Sequence, residues 1–207
     1  IKEEIEKIIN EYGADSARWF VLSDSPPERD INWSDSGIQG SWRFCQKIWS
    51  LIQNNIDAFQ IDSSKKSIDV SDKALGLQRE IHNNLLQVTS SIEKFQMNVS
   101  VAKIYEMVNH LSKFSADNEA DKLIVKESLE ILIRIIEPMT PHLAEECWQI
   151  IGKTSNLTTE PWPEVKQNIL IKESTTIIIQ INGKKRGELV IDINATEKDV
   201  LQNAMKI

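Results

Sequence analysis

Apolar residues recur at intervals of three and four along the chain as far as Gly152, which is the spacing of one face of an α-helix. The first long run predicts a helix over 41–57, introduced by a Ser/Asp/Gly-rich turn that ends near Gly40. Its apolar positions are Trp42, Cys45, Ile48, Trp49, Ile52 and Ile56. Residues 1–12 and 17–22 carry shorter helical patterns, and a Pro-Pro pair ends this first segment.

Two narrow apolar seams follow a polar loop at 60–72. The first seam runs over 81–95 and the second over 101–111, and both have the three-and-four spacing of a helix. Asn98 or Ser100 is the predicted N-cap of the second helix, because both side chains can accept a hydrogen bond from a free backbone N–H.

A wider apolar arc over 123–136 predicts a helix at the centre of the fold, ending before Pro138. Thr140 and Pro141 form a favourable N-cap and first-turn pair for a short helix that runs to Gly152. Four or five helices joined by short polar loops are typical of a helical bundle.

The pattern changes after the proline-containing linker at 160–165. Two β-branched runs flank Asn182-Gly183, which is the strongest short signal for a two-residue hairpin turn. Thr196, with Asp199 three residues later, predicts the start of a final helix. The sequence therefore predicts a mainly α protein, a helical bundle followed by a small α+β module. We expect that module to be incomplete, because a hairpin and one helix make a very small sheet domain.

Composition limits the classes of function. A net charge of −7 argues against a generally basic nucleic-acid-binding protein, so any RNA contact must use local patches. No apolar run approaches the length of a membrane span, and no targeting segment is recognisable. Cys45 and Cys147 lie within apolar helical patterns, as buried reduced thiols do, and this favours the cytoplasm.

No catalytic, cofactor or metal site is predicted in this chain. The three histidines lie on different predicted helices without metal-ligand spacing, and we expect them at the surface or at the edge of the core. No phosphate-binding glycine loop is present. An acidic cluster is interpreted as solvated loop carboxylates; its members are Asp15, Asp24, Glu28, Asp30 and Asp35.

Two groups of basic residues are candidates for RNA binding. Arg43 and Lys47 are four residues apart and share one side of the predicted 41–57 helix, although ordinary surface charges have the same spacing. Lys184, Lys185 and Arg186 directly follow the Asn-Gly turn, so they are held together at a hairpin tip. Strict alternation along a strand predicts that Lys184 and Arg186 share one face while Lys185 takes the other.

Four phrases of the sequence are distinctive: YGADSARWFVLSDSPPERDINWSDSGIQGSWRF from Tyr12, MTPHLAEECW at 139–148, EPWP at 160–163 and IIIQINGKKRGEL at 177–189. Together they resemble leucyl-tRNA synthetases of the bacterial type, which are class I enzymes. The resemblance covers essentially the whole chain, and Phe95 and Asn98 lie near a further helix-start motif of that family.

The resemblance implies three segments: a stem-contact helical segment and joint at 1–34, an anticodon-binding helical bundle at 35–160, and a linker with part of the C-terminal domain at 161–207. It also implies docking of tRNA(Leu). Arg43 and Lys47 align with basic positions of the family's bundle that face the tRNA. The family's C-terminal domain, which corresponds to the hairpin region, reaches the outer corner of the tRNA.

The nucleotide-binding motifs of that family, H-x-G-H and K-M-S-K-S, are absent from the sequence. We therefore expect a C-terminal portion of a synthetase, without a catalytic site or cofactor of its own. The catalytic and editing domains of the parent chain would be its partners, and the parent would use ATP and Mg²⁺ to attach leucine to tRNA in the cytoplasm.

A second interpretation is a non-catalytic helical adaptor that binds another protein through an apolar groove. Its anchors would be tryptophans, which are enriched at the energetic centres of protein interfaces. The candidates are Trp19, Trp33, Trp42 and Trp49.

Overall fold

The computed structural model of the chain describes residues 2–24, 26, 28–61, 69–170, 174–192 and 195–205. It divides into two compact units, the helical unit Ile1–Val165 and the hairpin unit Lys166–Ile207. The α-helices of the helical unit are α1 Lys2–Tyr12, α2 Ala14–Asp24, α3 Asp35–Asn54, α4 Asp72–Glu93, α5 Met97–Lys113, α6 Glu119–Ile136 and α7 Pro141–Ile150. The predicted helical bundle, followed by a small module with a hairpin and a helix, is confirmed.

The predicted start of α3 near residue 41 is wrong, because the helix begins at Asp35. Ser34 is its N-cap and accepts a hydrogen bond of 3.2 Å from the Gly37 backbone N–H. Gly37 therefore lies inside the helix rather than in a turn. A β-carbon at Gly37 would collide with the ring of Phe20, so the glycine allows α2 and α3 to approach closely.

The core is built around α6, as the wide apolar arc predicts. Leu129, Leu132, Ile133 and Ile136 are all fully buried. The helix begins at Glu119, earlier than the predicted 123, because Asn118 caps it by accepting a hydrogen bond of 2.9 Å from the Asp121 N–H.

Asp121 connects the beginnings of α4 and α6. Its carboxylate is fully buried and accepts hydrogen bonds from the Ser71 N–H at 2.9 Å, the Ser71 hydroxyl at 2.8 Å and the Asp117 N–H at 3.1 Å. Ser71 is itself the N-cap of α4, and its hydroxyl oxygen accepts from the Ala74 N–H. One buried carboxylate thus holds the capping residue of a neighbouring helix.

The predicted N-caps of α5, Asn98 and Ser100, are wrong. Gln96 occupies the N-cap position, and the helix begins at Met97. The turn between α4 and α5 is made by Phe95, whose φ of 60° lies in the left-handed region. Thr140 and Pro141 occupy the predicted N-cap and first-turn positions of α7, which runs from Pro141 to Ile150, but the Thr140 side chain makes no capping hydrogen bond.

In the hairpin unit, a short helix α8 (Gln167–Leu170) precedes strands β1 (Ser174–Ile181) and β2 (Lys184–Asp192), and helix α9 (Glu197–Ala204) follows. The strands are antiparallel around Asn182 and Gly183, whose φ values of 52° and 74° match the predicted two-residue turn.

The start of α9 is also as predicted. Thr196 and Asp199 form a reciprocal capping box.

Candidate nucleic-acid interface

Arg43 and Lys47 lie exposed on the same side of α3, one turn apart. The opposite side of this helix is packed into the core, where Phe44, Ile48 and Ile52 are buried. Because one face of α3 is fixed by packing, the two cations project from a rigid support. The sequence prediction that they share a helix face is confirmed in its geometry.

Asn109 on α5 holds the end of Lys47. The Lys47 ammonium donates a hydrogen bond of 2.7 Å to Asn109 Oδ1 and thereby links the exposed sides of α3 and α5. Sequence reasoning missed Asn109, because a single exposed asparagine in an amphipathic helix gives no signal of its own. Only the packing of α5 beside α3 reveals it.

A groove of about 570 Å³ lies between the first turns of α4 and the last turns of α5. Asn109 lines it, so the groove begins at the residue that holds Lys47. Lys73 and Gly76 lie on the α4 side, and Phe114 lies at the end of α5. The Lys73 ammonium lies 5.5 Å above the Phe114 ring centre.

Lys184, Lys185 and Arg186 are exposed at the start of β2, within the hairpin unit. Lys185 forms an ion pair with Glu188. The five candidate residues thus divide into a pair in the helical unit and a trio in the hairpin unit.

The strand register shifts within the trio, because Ile179 pairs with Gly187 while Gln180 pairs with Lys185. Arg186 is therefore the extra residue of a β-bulge, which breaks the strict two-residue period of a strand. The pairing places Lys185 and Glu188 opposite Gln180 and Ile178, on one face of the hairpin, in agreement with their ion pair.

The first turns of α2 hold the connection between α6 and α7. Asp15 accepts a hydrogen bond of 2.7 Å from the Leu143 N–H and lies 2.8 Å from His142 Nδ1. Arg18 donates to the carbonyl oxygens of Pro138 at 2.8 Å and Met139 at 3.1 Å. Asp15 and Arg18 are three residues apart, so one face of α2 carries both contacts.

The interpretation of Asp15 as a solvated loop carboxylate is therefore wrong. It is buried, and it caps the N-terminus of α7 from a distant part of the chain. Glu28, Asp30 and Asp35 are exposed, as expected, and the side chain of Asp24 lies outside the described residues.

The four candidate tryptophans differ in exposure: Trp19 is buried, Trp33 and Trp42 are exposed, and Trp49 is partly buried against the core. Trp19 is fully buried, and its Nε1 donates a hydrogen bond of 3.1 Å to the Tyr105 hydroxyl. Trp33 is 45% exposed, but its ring packs edge-on against the Phe20 ring, with 4.9 Å between the two ring centres. Trp19 therefore belongs to the core and cannot act as the anchor that the adaptor interpretation assigned to it.

The two cysteines and the three histidines lie in different surroundings. Cys45 and Cys147 are buried free thiols, as predicted, and burial raises the pKa of Cys45 to about 11 and that of Cys147 to about 12. The expected surface or core-edge position is wrong for His82, which is buried with its Nε2 3.5 Å from Glu127 Oε1, whereas His110 and His142 are exposed as expected.

The described part of the chain meets the requirements of neither a metal site nor a membrane-spanning helix. It contains no group of three or more His, Cys, Asp or Glu residues placed to hold a metal ion. It also contains no helix with the length and apolar character to cross a bilayer.

The chain matches the family model of the anticodon-binding domain of tRNA ligase over residues 74–202. It is 40% identical over 202 residues to the leucine–tRNA ligase of Parvibaculum lavamentivorans, and 41% identical over 199 residues to that of Maricaulis maris. These alignments cover 98% and 96% of the chain but 23% of each relative. The chain thus spans about a quarter of the length of the curated relatives it matches.

Solved structures give the same result. The LeuRS of Agrobacterium radiobacter K84, in a ternary complex with tRNA and LeuAMS, matches 98% of this chain and 26% of its own chain with a TM-score of 0.79 and 27% identity. Methionyl-tRNA synthetase of Mycobacterium tuberculosis shares the fold alone, with a TM-score of 0.59 over 72% of this chain and 17% identity. The chain therefore belongs to the anticodon-binding-domain family of tRNA ligases and corresponds to a part of leucine–tRNA ligase.

Proposed function

We propose that this chain docks tRNA(Leu) and positions it for leucylation by the catalytic domain of its parent enzyme. The observation that carries the proposal is the exposed pair of Arg43 and Lys47 on the rigid face of α3. The LeuRS that shares this fold is described as part of a complex with tRNA.

The pair suits an RNA backbone for electrostatic reasons. Each cation that neutralises a phosphate releases condensed counterions, which makes binding favourable and sensitive to salt. The chain as a whole has a net charge of −7, so its overall charge opposes the approach of RNA. A local cationic pair on an acidic body therefore fixes where the RNA can approach and how it is oriented.

The hairpin trio offers a second contact with the same RNA. Lys184 and Arg186 are exposed, whereas the charge of Lys185 is partly neutralised by Glu188. We therefore infer that Lys184 and Arg186 contribute most of the attraction of this unit. The two-residue turn before them limits the entropy that is lost when they bind.

The remaining assignments follow from the similarity to leucine–tRNA ligases. The parent would use ATP and Mg²⁺ in its catalytic domain, act in the cytoplasm and carry an editing domain. The segments 1–34, 35–160 and 161–207 would be the stem-contact segment, the anticodon-binding bundle, and the linker with part of the C-terminal domain.

A salt titration of tRNA(Leu) binding tests the proposal. The double variant Arg43→Ala/Lys47→Ala should bind more weakly, and its salt slope should fall by about 1 to 2, since each lost phosphate contact contributes roughly 0.7–0.9. A control for net charge is Lys122→Ala/Lys126→Ala, which removes two partly exposed cations with the same spacing from α6, where Lys122 is ion-paired with Asp57.

The control separates a specific contact from a change in net charge. Equal losses in the two double variants would mean that general charge, rather than the α3 surface, governs binding. No binding by the unaltered chain at any salt concentration would favour the adaptor interpretation instead.

A further inference from the structure

The groove between α4 and α5 begins where the proposed phosphate contact ends. Asn109 Oδ1 accepts the hydrogen bond from the Lys47 ammonium, and the same Asn109 lines the groove. An RNA strand held at Lys47 can therefore continue into the groove without leaving the surface of the helical unit. The groove has a volume of about 570 Å³, which is within the usual range for small-ligand pockets, roughly 300–1,000 Å³.

The charges that line the groove do not suit a phosphate track. Two lysines, Lys73 and Lys113, are balanced by two carboxylates, Glu80 and Glu106. Lys73 is also paired with Asp117 at 2.6 Å. Backbone binding rewards clustered positive charge, so this near-neutral lining favours an uncharged group.

The polar groups of the lining suit the edge of a nucleobase. Asn109 can both donate and accept hydrogen bonds, His110 is exposed beside it, and Glu80 can accept from an exocyclic amino group. Phe114 provides aromatic surface at one end. Proteins recognise unstacked bases in RNA through this combination of hydrogen bonds and aromatic contact.

Gly76 forms an open part of the groove wall. It lies inside α4, where glycine is less favourable than alanine. A β-carbon at this position would have no packing partner within 4 Å among the described residues, so close packing within the chain does not require a glycine. The missing side chain instead leaves room for a flat ring beside the helix.

We propose that the α4–α5 groove takes one unstacked base of the tRNA, next to the backbone held by Arg43 and Lys47. This inference rests on the proposed docking function. It assigns Asn109 two roles, since it positions Lys47 and contacts the base.

The test is chemical footprinting of unpaired tRNA(Leu) bases with base-specific reagents, together with affinity measurements, using the full chain. We expect one unpaired base to be protected by the unaltered chain. Gly76→Leu should abolish that protection and weaken binding by about tenfold, as expected for one lost base contact. The salt slope should stay unchanged, because no phosphate contact is removed.

Two further variants make the result specific. Asn109→Ala should also release the protected base, whereas Gln149→Ala, which removes an exposed carboxamide outside the groove, should not. Gly76→Ala should raise the midpoint of thermal unfolding by about 2 °C while weakening binding, so weaker binding cannot be ascribed to misfolding.

The two proposals fail in different ways. If the unaltered chain binds no tRNA(Leu) at any salt concentration, the docking function is overturned, and the groove inference with it. If Arg43→Ala/Lys47→Ala weakens binding but Gly76→Leu and Asn109→Ala keep the unaltered footprint and affinity, only the groove inference is overturned.

Discussion

The carboxylate of Asp15 accepts a hydrogen bond of 2.7 Å from the backbone N–H of Leu143, which lies 128 residues further along the chain. The contact satisfies an N–H that the first turn of α7 cannot satisfy internally. Arg18 binds the carbonyl oxygens just before α7. Asp15 and Arg18 together therefore attach the connection between α6 and α7 to α2.

We expect Asp15→Ala to lower the free energy of unfolding by about 1–2 kcal/mol, the usual cost of removing a capping side chain. The matched control is Asp30→Ala, which removes an exposed carboxylate and should change stability by less than about 0.5 kcal/mol. Urea denaturation of both variants measures the difference. Equal effects would contradict the capping role.

Asp121 should make stability depend on pH. Burial alone would raise the pKa of its carboxyl, but hydrogen bonds from the Ser71 and Asp117 N–H groups and the Ser71 hydroxyl outweigh burial and lower it. A lowered folded-state pKa gives stability that is present above the unfolded-state pKa and is lost as the pH falls through the folded-state value.

Asp121→Asn should therefore destabilise the chain most near neutral pH, by about 1–3 kcal/mol, because an amide cannot accept all three hydrogen bonds. The difference from the unaltered chain should shrink as the pH falls below the ordinary aspartate pKa of about 3.9, because the unfolded chain then takes up a proton that the folded Asp121, with its lowered pKa, resists. Unfolding measured at several pH values tests this. A difference that stays constant with pH would contradict it.

The two glycines early in α3 should respond to alanine with opposite signs. Gly37→Ala places a methyl group against the Phe20 ring and should cost about 1–3 kcal/mol of stability. Gly40→Ala meets no atom within 4 Å and should stabilise the helix by roughly 0.5–1 kcal/mol. Thermal and urea unfolding measure both, and destabilisation by both would show that α3 tolerates no side chain in this turn.

The ion pair between Lys185 and Glu188 should weaken the hairpin's attraction for RNA. Glu188→Gln removes the competing carboxylate, so it should strengthen tRNA(Leu) binding and raise the salt slope by about 0.7–0.9 if Lys185 gains one phosphate contact. Glu197→Gln, an exposed site on α9, is the charge-matched control. The same gain in both variants would point to general charge rather than to a released lysine.

Features with a local cause could be predicted from the sequence. The bundle helices follow from apolar spacing, and the hairpin follows from Asn182 and Gly183, which tolerate the positive φ of the turn. Thr196 and Asp199 cap a helix with groups only three residues apart. Each signal lies within a few residues of the structure that it produces.

Features with a distant cause could not be predicted. In the sequence, Gly37 favours a turn. In the structure it lies inside a helix, because only glycine leaves room there for the ring of Phe20. Asp15 looks solvated until α7 is brought to it, and Asn109 gains its role only when α5 lies beside α3. The bulge at Arg186 likewise depends on pairing with the partner strand.

The contact between Asp15 and Leu143 also has a consequence for the order of folding. The contact joins residues that are 128 positions apart, so forming it closes a long loop of the chain. The chain must lose the conformational entropy of that loop before the contact contributes any stability. Helices α4, α5 and α6 are neighbours in sequence and can associate earlier. We therefore expect α2 to dock after the folding transition state, so that loss of the Asp15 cap accelerates unfolding and leaves the folding rate nearly unchanged.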